Sequence, residues 1–483
     1  MATPIPKNSC EFTLGEVAAA CGGVLSGDTG VRVRGVSIDT RTIAPGELFV
    51  ALRGAGGAGP DRDGHAYLGG AAARGAVVAI VEIGRRHPNL PCIETADTLV
   101  ALGSLARRHL SRMRAARPLP VLSIGGAAGK TTTKELAAAI ARAIFGEPLS
   151  TPGNLNNRIG VPMTIFTLAE RHRAAVLECG TNTRGEIAAL AQIVEPDSAL
   201  VLNVDLEHTE GLGTLEEVAA EECAVFGFTR RFAIAADDEP LVTARIPSHL
   251  RRILFGKSAA AEVRLGSRIA GANGRTKIRI ELAAEIAEGG AAAIDAEIGL
   301  LGEAAALNCA AAVAAAAAMR DGMLVRADLP KIAAALAQAV PVPGRMAASS
   351  IRGALVIDDT YNSNPRSLRA ALDAAHEVAA PSGARLLIAL GDMLELGALS
   401  QSAHEAAVRD TLACRPHRFV AVGPEMAAAV ARVFGPDRPA EAVIANDSAA
   451  AGSILAQLVR PGDVLLVKGS RGIAMERAIA ALR

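Results

Sequence analysis

Eight consecutive residues, Gly125-Gly126-Ala127-Ala128-Gly129-Lys130-Thr131-Thr132, carry the chemistry most directly read from residue type and spacing. Glycines let backbone N–H groups close on phosphate oxygens, and a helix starting at the lysine adds positive potential. Lys130 would reach the β- and γ-phosphates and the Thr131 hydroxyl would hold Mg²⁺. The usual nucleotide loop has a glycine where this chain has Ile124; here the loop is a shorter Gly-x-x-Gly-Lys-Thr beginning at Gly126. A glycine-rich turn with a chance Gly-Lys-Thr is the alternative. The apolar run Pro120–Ile124 before it and the helically spaced Lys134–Phe145 after it favour an ATP site at Gly126, Ala127, Ala128, Gly129, Lys130, Thr131 and Thr132.

Further candidates stand after other short apolar runs. Ala174–Leu177 ends in Glu178, and a carboxylate at a strand's carboxyl end beside a phosphate loop suits Mg²⁺ or a bound water. Ala199–Asn203 repeats the pattern and leads to Glu207-His208-Thr209-Glu210-Gly211, where His208 is a site candidate. Thr151–Pro162 holds Asn154, Asn156 and Asn157, uncharged donors and acceptors in a stretch too rich in Asn and Gly for helix or strand; a plain loop is the alternative. Asp39, Thr40 and Arg41 end a strand-like run and could grip a phosphorylated ligand, although alone they read as a surface turn.

These residues need elements to hold them. A chain of 483 residues exceeds one core. Residues 1–97 form a first unit: a short helix at Thr13–Ala20, strand-like Val31–Arg41 and Gly46–Leu52, and a flexible Gly-rich loop at 54–59. Residues 98–345 form a second around the phosphate loop, with a capping box at Thr214 and Glu217, an antiparallel insertion at Lys277–Leu282 and Ala293–Ile298, and helices near 304–319 and 328–339. Pro341–Arg345 marks the next boundary. Residues 346–483 alternate strands (354–358, 386–390, 418–422, 464–467) with helices, the pattern of a doubly wound parallel sheet. Ligands meet the carboxyl ends of such strands, where Asp358–Asn362, Gly391-Asp392 and Lys468–Arg471 sit. The fold class is therefore α/β in three domains, with a central P-loop parallel sheet domain and a C-terminal Rossmann-like domain.

Composition narrows the partners. Lys+Arg and Asp+Glu are both 50, so net charge makes no case for nucleic acid or an anionic membrane. The basic stretch Arg107–Arg114 reads as one solvated helix face. Seven scattered cysteines without a Cys-x-x-Cys pair fit a reducing cytoplasm. No basic-then-apolar leader opens the chain, and Ala304–Met319 reads as a buried helix, not a membrane span.

Taken together these motifs resemble the Mur ligase family over nearly the whole length. Ser37-Ile38-Asp39-Thr40-Arg41 looks like its nucleotide-sugar motif, and the shortened loop ending Gly129-Lys130-Thr131-Thr132 is the family form. Asn154–Asn157 with Ile159–Pro162, Asp358–Pro365, Gly391–Gly397 and Lys468–Arg471 complete the order. The resemblance implies a monomeric cytoplasmic ligase that uses ATP and Mg²⁺ to join D-alanyl-D-alanine to UDP-N-acetylmuramoyl-tripeptide through an acyl phosphate. It implies that Lys130 binds phosphate, Thr131 and Glu178 hold the first Mg²⁺, and His208 helps hold a second. Asn308 would contact adenine, with Arg345 and Asp359 reaching the nucleotide. Ser37, Asp39, Thr40, Arg41, Asn154, Asn156, Asn157, Tyr361, Asn362, Lys468 and Arg471 would bind substrate. Two other readings remain: a weakly active or non-catalytic nucleotide-binding relative, and a ligase for another amino acid.

The chain departs from the family in three places. The family's lysine, carbamylated by CO₂ to bind the second Mg²⁺, falls on Glu222. Glu222 either supports that metal through water, as a catalytic and metal residue, or is a solvated helix residue. The loop's threonine or serine positions are Gly125 and Ala127, and a histidine and asparagine are missing from Gly302–Asn308, where Ala304 stands.

Overall fold

The strand that feeds the phosphate loop, Val121–Gly125, is wholly buried and lies inside a nine-stranded sheet. Ala174–Glu178 pairs with it on one side and Ser198–Val201 on the other, both parallel. Pro148–Ser150 lies beyond the first, and Phe232–Ala236, Arg251–Gly256 and Val263–Ala270 beyond the second. The chain thus leaves Val121–Gly125 toward one edge and later returns on the other side. This opens a crevice at the carboxyl ends, where such sheets bind ligands. Thr276–Leu282 and Ala292–Ile298 complete the sheet as the expected antiparallel edge. The computed structural model describes residues 3–25, 28–54, 63–205, 212–271, 274–435 and 439–483; most of the Gly-rich loop at 54–59, and His208 with its neighbours, lie outside these.

Behind this sheet runs Gly302–Met319, buried on nearly all sides because alanines fill it. Small side chains let it close on both the phosphate-loop helix Lys130–Ile144 and the sheet, and a helix apolar all round belongs in a core. Among the described residues it is the one helix long and apolar enough to cross a membrane, and it is 78% buried.

The first domain has a five-stranded sheet: Val24–Leu25, Cys92–Thr95, Val78–Glu82, Leu48–Val50 and Val36–Ser37. The single strand expected over Val31–Arg41 is two short ones. Gly35 takes φ +100°, its N–H bonding the Cys10 carbonyl (2.8 Å), so Arg32–Arg34 pairs with Glu11–Thr13 while Val36–Ser37 joins the main sheet.

The helix Thr98–Ala116 joins this domain to the central one, and its basic stretch is not one solvated face. Arg112 donates to the Glu11 carbonyl (2.8 Å) and lies over the Phe12 ring. On the other side Arg107 pairs with Glu195, Arg114 with Asp197, and buried His109 meets the Leu168 carbonyl at 2.9 Å. Non-local partners convert a charged helix face into a seam.

A small network braces the first domain. His65 Nε2 accepts the Glu82 N–H (3.0 Å), so Nδ1 carries the proton donated to Asp63 (2.7 Å), whose second oxygen takes Arg85 (2.6 Å). Burial pushes the Asp63 carboxyl up, but His65 and Arg85 outweigh it and hold the group at about 2. A depressed carboxyl stabilises the fold above its unfolded value of 3.8, and that contribution is lost as pH falls toward 2. Asp63→Asn is expected to cost about 1–2 kcal/mol at pH 7, with the two melting curves converging as pH approaches 2.

The C-terminal domain carries six strands ordered Ala347–Ile351, Ala354–Asp359, Val464–Lys468, Leu386–Gly391, Arg418–Val422 and Ala442–Ala445. Four match the expectation. Ala347–Ile351 is an antiparallel edge strand of Ala and Ser with two exposed positions, so it lacks a hydrophobic pattern to read. Ala442–Ala445 is a four-residue edge strand.

Candidate active site

The phosphate loop is built by its glycines and held from below. Gly126 and Gly129 take φ of +115° and +89°, and Gly129 hands the chain to Lys130–Ile144 without a side-chain cap. The first N–H groups of that helix have no intrahelical acceptor, an arrangement that suits an anion. The loop's earlier N–H groups are already used. Gly126 donates to Glu222 Oε2 (2.7 Å), Ala127 to the Asn203 carbonyl (3.0 Å) and Ala128 to Asn203 Oδ1 (2.8 Å). Asn203 also donates back to the Ala128 carbonyl (3.0 Å). Lys130 lies folded over the loop on the carbonyls of Gly126 and Ala127.

Asn203 thus shapes the loop, a role the sequence reading did not give it. The available signal was its place just past the strand Ser198–Val201, beside the loop's own strand.

Glu178 is 1% exposed. Its Oε1 accepts from Thr131 Oγ1 (3.2 Å) and Asn156 Nδ2 (2.8 Å), while Oε2 is buried without a hydrogen-bond donor among the described residues. A buried carboxylate oxygen left unpaired beside a loop hydroxyl fits a hard cation. The backbone behind it is fixed: the Glu178 N–H bonds Thr151 Oγ1 (2.9 Å), and buried Lys134 donates to the Thr151 carbonyl (2.8 Å).

The asparagine stretch is not all loop. Asn157 Oδ1 accepts the N–H groups of Ile159 (3.1 Å) and Gly160 (2.8 Å), just before a short helix at Gly160–Ile165. Asn154 Oδ1 accepts from Thr3 Oγ1 (2.6 Å).

Facing the loop across a cavity of about 680 Å³ is the C-terminal domain. Arg345, Asp359, Tyr361, Asn362 and Lys468 line it opposite Lys130, Thr131, Glu178 and the three asparagines. Arg345 lies over the Tyr361 ring at 4.2 Å. Apolar Leu300, Leu301, Ala304 and Ala305 line the same cavity near Asn308. Asn308 itself reaches the loop, since a Cβ on Gly129 would lie 2.7 Å from its Oδ1. The two domains are tied beside the cavity by Arg366, which meets Glu239 and the Asp205 carboxylate (3.2 Å, through its N–H). Burial raises the Glu239 carboxyl, against the pull of Arg366.

Several expected residues stand outside the cavity or are engaged internally. Glu222 is 1% exposed and behind the loop, outside the cavity wall, so it is not a solvated helix residue. Lys468 is 1% exposed and spends its ammonium on Asp359 (2.6 Å) and the Asn362 carbonyl (2.9 Å), making it an internal brace. Arg471 pairs with Glu476 (3.3 Å), does not line the cavity, and lies 5.7 Å from the Tyr361 ring. Ser37, Asp39, Thr40 and Arg41 form a turn in the first domain, also outside the cavity. There Arg41 binds the Asp39 carboxylate (2.6 Å) and holds it below its ordinary range.

Comparison with known proteins agrees with this layout. The Mur ligase middle domain matches residues 124–316, and the Mur ligase glutamate ligase domain matches residues 344–471. The UDP-N-acetylmuramoyl-tripeptide–D-alanyl-D-alanine ligase of Escherichia coli is 33% identical, covering 98% of both chains. That of Treponema pallidum is 32% identical over 93% of this chain and 94% of its own. Among solved structures, MurF from Acinetobacter baumannii superposes with a TM-score of 0.85 at 27% identity, covering 98% of this chain and 99% of that one. MurF from Thermotoga maritima in complex with ADP gives 0.79 at 25% identity, over 92% and 96%. With a phosphate loop and a C-terminal domain facing each other across one cavity, and relatives matched from end to end, the chain belongs to the Mur ligase family.

Proposed function

We propose that this chain is an ATP-dependent ligase that joins D-alanyl-D-alanine to UDP-N-acetylmuramoyl-tripeptide in peptidoglycan precursor synthesis. The observation that carries this reading is the shared cavity, which brings the phosphate loop of one domain against the strand ends of the next. The γ-phosphoryl group of ATP passes to the tripeptide carboxylate, the amino group of D-alanyl-D-alanine attacks the acyl phosphate, and phosphate leaves. Two anions, carboxylate and triphosphate, must approach each other, so cationic groups and exclusion of water are needed.

Lys130 and the first-turn N–H groups of its helix receive the phosphates. Thr131 and Glu178 are the residues that would hold Mg²⁺, which when bound screens the triphosphate's charge. Asn156 orients Glu178 through Oε1. Asn308, Arg345 and Asp359 contact the nucleotide, and Lys468 holds Asp359 in place. Tyr361 and Asn362 meet the incoming dipeptide, and the Ser37–Arg41 turn of the first domain, residues 1–97, takes the uridine nucleotide. His208 remains a candidate for a second metal. We place the protein in the cytoplasm as a monomer.

Phosphate release from Mg·ATP with UDP-N-acetylmuramoyl-tripeptide tests this directly. Release that requires D-alanyl-D-alanine is the expected result. Release with single amino acids instead would assign a different acceptor, and ADP binding without release under any pairing would make the protein a non-catalytic relative.

A further inference from the structure

Gly125 and Glu222 meet in space. Gly125 ends the strand before the loop, and its φ lies outside the left-handed region, so the backbone there does not require glycine. A Cβ at this position would nonetheless lie 2.8 Å from Glu222 Oε2; the next nearest atom among the described residues is the Cys179 carbonyl oxygen at 3.9 Å. Among the described residues, a side chain at residue 125 would force the Glu222 carboxylate, and nothing else, to shift. That same oxygen accepts the Gly126 N–H at 2.7 Å. Glu222 comes from the helix Leu215–Cys223, whose start is secured by the Thr214–Glu217 capping box.

We propose that Glu222 is a positioning residue for nucleotide binding, its carboxylate filling the space where a side chain at residue 125 would lie and fixing the Gly126 peptide. The inference needs only that the loop binds nucleotide phosphates, not that the protein is a ligase. A charge-assisted hydrogen bond to a backbone N–H is stronger than a neutral one and holds its peptide in one orientation. With the Gly126 N–H turned down to Glu222 and the Ala127 and Ala128 N–H groups turned to Asn203, the loop keeps its shape before any ligand arrives. Phosphates then meet a preorganised helix N-terminus, and little ordering is needed at binding. Gly125 and Glu222 form a coupled pair: each residue type is tolerated because of the other.

The test is a double-mutant cycle read by Mg·ADP binding in calorimetry, independent of turnover. Gly125→Ala is expected to weaken ADP binding roughly tenfold or more in the wild-type background, and by less than about twofold when added to Glu222→Ala. Equal cost in both backgrounds, or no cost in either, overturns the proposal. Glu222→Gln keeps shape and an acceptor oxygen, so it guards against a folding failure of the alanine variant. It should weaken ADP binding roughly tenfold while leaving the affinity for the uridine nucleotide unchanged. A general structural role would lower both affinities together, and unchanged ADP affinity would remove Glu222 from loop positioning; either result overturns the proposal.

Discussion

Lys130→Met is expected to lower kcat/KM for ATP by about 10³-fold. The ammonium group rests on the carbonyls of Gly126 and Ala127, poised at the start of the helix Lys130–Ile144. Its charge is already at the loop, so little reorganisation is needed when the triphosphate binds. Charge develops on the γ-phosphoryl oxygens during transfer, and a fixed cation in a cavity shielded by two domains acts there more strongly than in water. Methionine keeps the length and apolar stem but carries neither charge nor donor. Initial rates of phosphate release over a range of ATP concentrations check the expectation. A loss smaller than tenfold would mean that the lysine does not touch the reacting phosphate.

Glu178→Gln is expected to separate stability from activity. Turnover should fall by about 10²–10³-fold, because the amide keeps the acceptor for Asn156 and Thr131 but offers no charge to a cation. The ligand-free protein should be unchanged or stabilised by about 1 kcal/mol. The wild-type carboxylate is buried with Oε2 unpaired, a cost that a neutral side chain reduces. Melting curves with and without Mg·ADP supply the check. Wild type should gain melting temperature from the ligand, and the variant should gain much less. A variant that loses both ligand-free stability and activity would show Glu178 to be structural.

The site was legible where its parts are close in sequence. The phosphate loop, with its strand before and helix after, is one contiguous supersecondary unit whose glycine positions and helix start are local matters. Glu178 was found the same way, as the polar end of a buried five-residue strand. The capping box at Thr214, the buried alanine helix and the antiparallel insertion likewise follow from local pattern.

Tertiary structure decided what each polar side chain is spent on. Glu222 lies 96 residues from the Gly126 N–H that it accepts, and Lys468 lies 109 from the Asp359 that it holds. No local pattern reveals such pairings: a glutamate that reads as a metal ligand or a solvated residue accepts the Gly126 N–H, and a lysine that reads as a substrate contact also holds Asp359. Asn203 gained its role from neighbouring strands that meet only in the sheet. The basic helix face at Arg107–Arg114 was assigned to water until partners from two domains closed on it. Residue types and short-range spacing determined which chemistry this chain could carry. Its register and domain packing determined which groups remain for the ligand, because hydrogen-bond capacity in a buried site is finite and non-local partners claim it first.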